Sequence, residues 1–294
     1  MGPDHPERPD RVRAIERILE NERFQTLLRE QAPIGERDWI LRAHPEAYVA
    51  ALERAAPTEG LIQLDGDTAM CPGTLEAAMR AVGGACLAVD EVMQKLVSNA
   101  FVAMRPPGHH AERATPMGFC FFNNAAVAAR HAQKVHGAER VAIMDFDVHH
   151  GNGTQDIFWS DETVMYASTH EMPAYPGTGA VSERGEYDNI VNAPLYAGAG
   201  SDSFREAMEI AILPRIEAFS PDLVIISAGF DAHRLDPLAN LKLVEADFAW
   251  ATRKLMDIAD RKSNGRLVSL LEGGYSLEGL SRSAAAHVMT LMGV

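Results

Sequence analysis

Five short apolar, β-branched runs recur along the chain: Phe101–Met104, Val141–Phe146, Val164–Ser168, Leu223–Ser227 and Leu267–Leu271. Around them lie longer stretches whose apolar residues keep helical spacing: Arg11–Glu30, Leu75–Leu96, Ala125–Val135, Ser203–Phe219, Glu245–Ala259 and Leu277–Met292. Strands that alternate with helices predict βαβ units and a mainly parallel sheet. The runs are almost continuously apolar, as strands covered on both faces must be. The expected fold class is therefore α/β, with a mainly parallel central sheet and helices on both faces. No fixed-period repeat, low-complexity tract or linker interrupts the pattern, so one domain is expected over 1–294.

Composition narrows the function. Apolar residues at 47% and charged residues at 23% suit a globular chain with a large core. Lys+Arg number 27 against 41 Asp+Glu, a net charge of −14. That balance argues against nucleic acid as a partner, which would need a basic face. No apolar run reaches the ~20 residues that cross a bilayer, so no membrane partner is expected. The N-terminus lacks the basic and apolar regions of a secretory signal. Cys71, Cys86 and Cys120 are far apart and odd in number, which points to buried thiols in a reducing cytoplasm.

The residues after the strands carry the chemistry. The five runs are followed by Arg105-Pro106-Pro107-Gly108-His109-His110, by Asp147-Val148-His149-His150-Gly151-Asn152-Gly153, by Thr169-His170 with Tyr175-Pro176-Gly177 beyond, by Ala228-Gly229-Phe230-Asp231-Ala232-His233, and by Glu272-Gly273-Gly274-Tyr275. Open α/β sheets bind ligands at the carboxyl ends of their strands. One pocket built from five loops is the expectation.

Within it, Asp147 and His149 stand at i and i+2 and point the same way from a strand end. Asp231, from another strand end, supplies a third ligand. Two carboxylates and one imidazole suit zinc, and three protein ligands leave a position open for water and substrate. His109 and His110 read as proton-transfer groups, because imidazole titrates near neutral pH. Asp145 shares a side of its strand with Asp147 and can orient a histidine. Tyr275 offers a hydroxyl to charge developing on a carbonyl oxygen.

These strings, together with His5-Pro6-Glu7-Arg8-Pro9 and Gly118-Phe119-Cys120-Phe121-Phe122-Asn123-Asn124, resemble the histone deacetylase superfamily. The nearest branch is class II-like, with the bacterial histone-deacetylase-like and acetylpolyamine amidohydrolases. The motifs run in family order over nearly the whole chain. The resemblance implies an arginase/deacetylase fold and zinc-dependent amide hydrolysis, with one Zn²⁺ per chain held by Asp147, His149 and Asp231. It makes His109 and His110 the tandem histidines, Tyr275 the transition-state tyrosine and Asp145 the partner of His109. Asn152 takes the place of an aspartate found behind the second histidine in class I members. Lacking that charge, His110 should be less basic.

The resemblance also implies substrate walls at Gly118, Phe119 and Tyr175, with Gly273 and Gly274 beside Tyr275. A structural potassium ion is implied at Asp145, Asp147, His149, Ser168 and Thr169, and a second at Phe158, Asp161 and Val164. Arg11 matches an arginine of the family's acetate-release channel; an ordinary surface arginine is the alternative. Leu238 matches a gatekeeper that polyamine-selective relatives replace by a carboxylate, which favours acyl-lysine or small acyl-amides over acetylpolyamines. Glu112 and Asp67 are other acids that can attract a polyamine. The family's first strand is expected to be absent before His5, which would widen the active-site mouth, expose a sheet edge for self-association, or reflect a late start of the sequence. Two competing readings are an arginase-type hydrolase with two manganese ions and a non-catalytic acyl-amine sensor.

Overall fold

The computed structural model describes residues 1–2 and 4–294. Among the described residues, ten α-helices and eight strands are formed. The strands are β1 (Ile62–Gln63), β2 (Ala69–Met70), β3 (Asn99–Val102), β4 (Val141–Asp145), β5 (Val164–Glu171), β6 (Ile190–Leu195), β7 (Leu223–Ala228) and β8 (Leu267–Leu271). The helices are α1 (Asp10–Leu19), α2 (Arg37–Ile40), α3 (Glu46–Ala55), α4 (Thr74–Met93), α5 (Asn124–His136), α6 (Asn152–Phe158), α7 (Ser201–Ala207), α8 (Leu213–Phe219), α9 (Glu245–Lys262) and α10 (Leu277–Leu291). Strands β3 to β8 make one parallel sheet in the order β3-β8-β7-β4-β5-β6, and β1 and β2 form a small antiparallel pair.

Alternation along the central strands divides the interior into two cores. Ala142 and Met144 of β4 and Val224 and Ile226 of β7 face one layer, with Ile15 of α1, Phe204 of α7, Phe248 of α9 and Leu280 of α10. Val141, Ile143, Leu223 and Ile225 face the other, with Val49 of α3, Val82 of α4, Val127 of α5 and Phe158 of α6. Both faces of each central strand are thus apolar, which is why those runs show little polar alternation.

Local chemistry sets the helix ends. Asn123 caps α5 by accepting from the Ala126 N–H at 2.9 Å, and Gly137 closes it in the left-handed region. Ser276 caps α10 by accepting from the Gly279 N–H. The expected helix over Arg11–Glu30 stops at Leu19. Asn21 then turns its side chain onto the Arg23 N–H and starts a 3₁₀ turn, and Leu28 beyond it is 79% exposed. The expected single helix over Ser203–Phe219 is broken by a π-turn at Met208–Ile212. Pro214 stands two residues beyond it and has no N–H to continue the α-helical ladder. Strand β6 lies outside the sequence expectation. Asn192 and Pro194 interrupt its apolar run, and a proline is tolerated because β6 is an edge strand.

Two central strands position the site. β4 and β7 are neighbours, and Asp145 lies level with Ser227. From β4 the chain builds outward through β5 and β6, then returns to build β7 and β8 on the other side. The crevice where the direction reverses is the ligand-binding position of open α/β sheets.

Candidate active site

Asp147 and His149 leave the end of β4, and Asp231 leaves the end of β7. One ligand atom from each lies within 4.8 Å of the others. His149 Nδ1 is 3.2 Å from Asp147 Oδ1 and 3.3 Å from Asp231 Oδ2. Backbone N–H groups hold the carboxylates. Val148 donates to Asp231 Oδ1 at 2.8 Å, Gly273 to Asp147 Oδ2 at 2.8 Å and His149 to Asp147 Oδ1 at 2.9 Å. Asp231 Oδ2 is buried and has no hydrogen-bond partner.

Glycines make room for these oxygens. A Cβ on Gly229 would lie 2.0 Å from Asp147 Oδ2, and one on Gly273 would lie 2.1 Å from Asp231 Oδ2. The electrostatics ask for a cation. Burial and the Asp147 charge push the Asp231 carboxyl up to about 7. Burial opposes a charge on His149, but Asp147 and Asp231 hold its imidazolium to about pH 10. An ion at this point would replace that proton and give the orphaned oxygen a partner. The donor set of one nitrogen and carboxylate oxygens, open on one side, fits zinc.

The tandem histidines stand beside the triad, with ring centroids 4.0 Å apart. Asp145 Oδ2 lies 2.9 Å from His109 Nδ1, and the Tyr166 hydroxyl donates to the same oxygen. Burial works against a charge on His109, yet Asp145, Asp147 and Glu272 together hold its pKa well above the ordinary value. His110 is the opposite case. Burial, reinforced by His109 and His149, pushes its pKa well down. Its Nδ1 lies 2.8 Å from Asn152 Oδ1, which can only accept, so Nδ1 carries the hydrogen and Nε2 is bare.

Aromatic rings frame the approach. Tyr175 stands edge-on to His110 at 5.1 Å and to His149 at 6.1 Å. Phe119 stands edge-on to Tyr275 at 5.7 Å and to His5 at 4.6 Å. Gly118 and Phe119 both adopt positive φ, and a Cβ on Gly118 would lie 2.4 Å from the His110 ring. Gly274 has a φ of 123°, which turns the chain from β8 toward Tyr275. Burial holds the Tyr275 phenol well above its ordinary pKa, so it remains a donor. Leu238 is half-exposed on the loop after Asp231, and its N–H is held by Asp236.

This geometry agrees with what the chain resembles. A family model described as "Histone deacetylase domain" matches residues 5–291. The chain belongs to the histone deacetylase family. It is 39% identical to a histone deacetylase-like amidohydrolase of Pseudomonas aeruginosa, over 99% of this chain and 77% of that one. It is 40% identical to the chloroplastic histone deacetylase 14 of Arabidopsis thaliana, over 98% of this chain and 73% of that one. The crystal structure of the HDA15 HD domain superposes with a TM-score of 0.93 at 39% identity, covering 99% of this chain and 85% of that one. The fold is thus the arginase/deacetylase fold, and the chain is a deacetylase-family hydrolase.

Glu272 and Asp236 organise this site without a role expected from the sequence, and Arg11 takes one of the two places expected for it. Glu272 is fully buried. Its carboxylate accepts from the Gly108 N–H at 2.7 Å, the His109 N–H at 3.1 Å and the Ser227 hydroxyl at 3.2 Å. It fastens the tandem-histidine loop to the end of β8. Asp236 accepts from the N–H groups of Tyr275 and Ser276 at 2.7 and 3.1 Å. Arg11 is no surface residue. Completely buried, it donates to the carbonyls of Gly274 and Glu272 and to Glu7, and its guanidinium lies 4.8 Å from the centre of the Tyr275 ring. Glu272 stands directly before two glycines at a strand end, and that position was the available signal.

The residues matched to potassium form two groups. Asp145, Asp147, Ser168 and Thr169 are buried, and His149 nearly so, where β4 and β5 end. The carbonyls of Phe158, Asp161 and Val164 converge on Asn189 Nδ2, at 2.8, 3.0 and 3.0 Å. Asn189 Oδ1 is buried without a partner.

A second group of ligand type, Asp90 with His131 and His136, links α4 to α5. Asp90 Oδ1 is 2.8 Å from His131 Nε2 and 2.6 Å from His136 Nε2. Arg42 donates to His131 Nδ1, which leaves the ring hydrogen on Nε2 and aimed at Asp90. A guanidinium beside the ring and a neutral imidazole already bonded to the carboxylate describe a hydrogen-bonded cluster. Cys71, Cys86 and Cys120 are all free thiols. No helix among the described residues is long and apolar enough to cross a membrane.

Proposed function

We propose that the chain is a zinc-dependent deacylase that hydrolyses an acetyl-amide, acetyl-lysine or a related acyl-amine, to acetate and the free amine. The observation that carries this reading is the buried Asp147, His149 and Asp231 triad with its orphaned oxygen, set against the bare Nε2 of His110. Asp147, His149 and Asp231 would hold the ion. Bound there, zinc supplies a Lewis acid that polarises the amide carbonyl and acidifies an attacking water.

The chain's own groups do the rest. His110 accepts the water's proton on Nε2, and the Asn152 oxygen stabilises the resulting imidazolium through Nδ1–H. Tyr275 donates its hydroxyl hydrogen to the oxyanion of the tetrahedral intermediate. His109, held by Asp145, adds positive charge next to the triad. The tandem histidines return a proton to the departing amine. Gly118, Phe119 and Tyr175 enclose the aliphatic stem, with Gly273 and Gly274 leaving room for the acyl end and Leu238 at the rim.

Acyl-lysine is favoured over acetylpolyamine. Leu238 brings no charge to the rim, Glu112 accepts from Asn152, and Asp67 accepts from the Gly118 N–H and the Thr68 hydroxyl. The three carbonyls that meet at Asn189 exceed the two hydrogens its amide can give. This surplus supports a potassium ion at Phe158, Asp161 and Val164, alongside one at Asp145, Asp147, His149, Ser168 and Thr169. A reducing, cytoplasm-like compartment suits the three free thiols.

A panel of acetyl-lysine peptides, acetylpolyamines and longer acyl-lysines, run with and without a zinc chelator, tests the reading. Chelator-sensitive release of acetate is expected from the lysine substrates. Two manganese ions per chain would replace the reading by an arginase-type hydrolase. A flat panel with zinc bound would replace it by an acyl-amine sensor.

A further inference from the structure

An aspartate behind His110 would present two equivalent oxygens, and either could accept the ring hydrogen. Asn152 presents two unlike ends. With Oδ1 toward His110, Nδ1 carries the hydrogen and Nε2 can accept a proton. With the amide turned over, Nδ2 would donate to Nδ1, the hydrogen would move to Nε2, and His110 could no longer act as a base. Some group must therefore choose between the two.

The Asn152 Nδ2 group donates to Glu112 Oε1 at 2.8 Å and to Met117 Sδ at 3.3 Å. A thioether accepts only weakly. In the turned-over amide, Oδ1 would face Glu112 Oε1 at that same 2.8 Å, and two acceptors, one of them charged, would meet without a hydrogen between them. The backbone of Asn152 is fixed independently. Its N–H donates to His150, and the N–H groups of Gly153 and Thr154 donate to the His109 carbonyl. Only the side-chain amide is left to be set.

We propose that Glu112 is a positioning residue that selects the orientation of the Asn152 amide and, through it, the His110 tautomer. The proposal rests on the reading of His110 as proton acceptor. It gives Glu112 a task other than attracting a polyamine, and it explains how an amide does the work of a carboxylate at this position.

The test has two arms, both on the full-length, zinc-loaded protein. Long-range ¹H–¹⁵N spectra of the histidine rings, with His110 assigned by its loss in His110→Ala, report the tautomer directly. Wild type and Glu112→Gln, whose amide oxygen can still accept, should show the Nδ1–H form; Glu112→Ala should show a mixture or the Nε2–H form. In kinetics, Glu112→Ala should lower kcat about tenfold or more with little change in KM. In an Asn152→Asp background the same change should cause no further loss, because a carboxylate has no wrong way round and a like charge is removed.

A wild-type His110 tautomer in Glu112→Ala, or an equal fall of kcat in both backgrounds, overturns the proposal. If the wild-type protein hydrolyses no acyl-amine, the functional reading fails while the spectra still decide the role of Glu112.

Discussion

Replacing Gly273 by alanine asks whether the triad is built around an ion. A Cβ there would lie 2.1 Å from Asp231 Oδ2 and 2.5 Å from Asp147 Oδ2, whereas ordinary van der Waals contact begins near 3.4 Å. Both oxygens must retreat by about 1 Å, or the turn that carries the Gly273 N–H must move away from Asp147. Metal–ligand distances tolerate only about 0.2 Å. Disturbing the groups that hold ligands costs about 10–100-fold in metal affinity, and displacing the ligand oxygens themselves should reach at least the upper end. A 100-fold loss is about 2.7 kcal/mol. Competition for zinc against a chromophoric chelator measures it, with thermal unfolding run in parallel, since overpacking alone costs about 1–3 kcal/mol of stability. Gly66→Ala is the control, because nothing lies within 4 Å of its added Cβ. Wild-type zinc affinity in Gly273→Ala would refute the assignment of Asp147 and Asp231 as ligands.

Tyr275→Phe should lower kcat by about 10²–10³ with KM little changed, as removal of one oxyanion donor does; steady-state kinetics on the preferred peptide checks it. Asp236→Ala leaves the N–H groups of Tyr275 and Ser276 without their acceptor, so a loss of about 2–4 kcal/mol in denaturant unfolding and a fall in kcat are expected. His44 is buried and neutral, accepting from the Asn123 N–H, and burial lowers its pKa from 6.5 to about 4. A depressed histidine supports the fold above the unfolded pKa and loses that support as pH falls through 6.5 toward 4. The loss is about 3 kcal/mol, and His44→Gln should flatten the stability-against-pH curve over that window; an unchanged slope would contradict it.

The sequence carried the sheet because parallel strands covered on both faces read as plain apolar runs. It carried Asp147 with His149, because i and i+2 positions at a strand end share a side; Asp231 was legible as a polar residue at a second strand end, and the pairings of His109 with Asp145 and of His110 with Asn152 came from the family resemblance. The edge strand β6 escaped because Pro194 and Asn192 break its run, and α1 was drawn too long because an apolar period continues past the Asn21 turn. Glu272 and Asp236 stayed hidden for another reason. Their partners lie far away in sequence, for Glu272 and Gly108 by 164 positions, and no local period encodes such pairings. Glu112 looked like a substrate anchor when judged by charge alone; its bond to Asn152 exists only once the loop after His110 folds over the start of α6.

The adjacency of β4 and β7 has a consequence for how the protein comes into being. Asp147 is synthesised well before Asp231, and β5 and β6 are laid down between them on the far side of the sheet. A nascent chain that has not yet inserted β7 beside β4 carries only part of the triad. Metal capture at the proposed site would then be a late event that registers the seating of β7 beside β4, and free ion would favour molecules that have reached that stage over arrested ones.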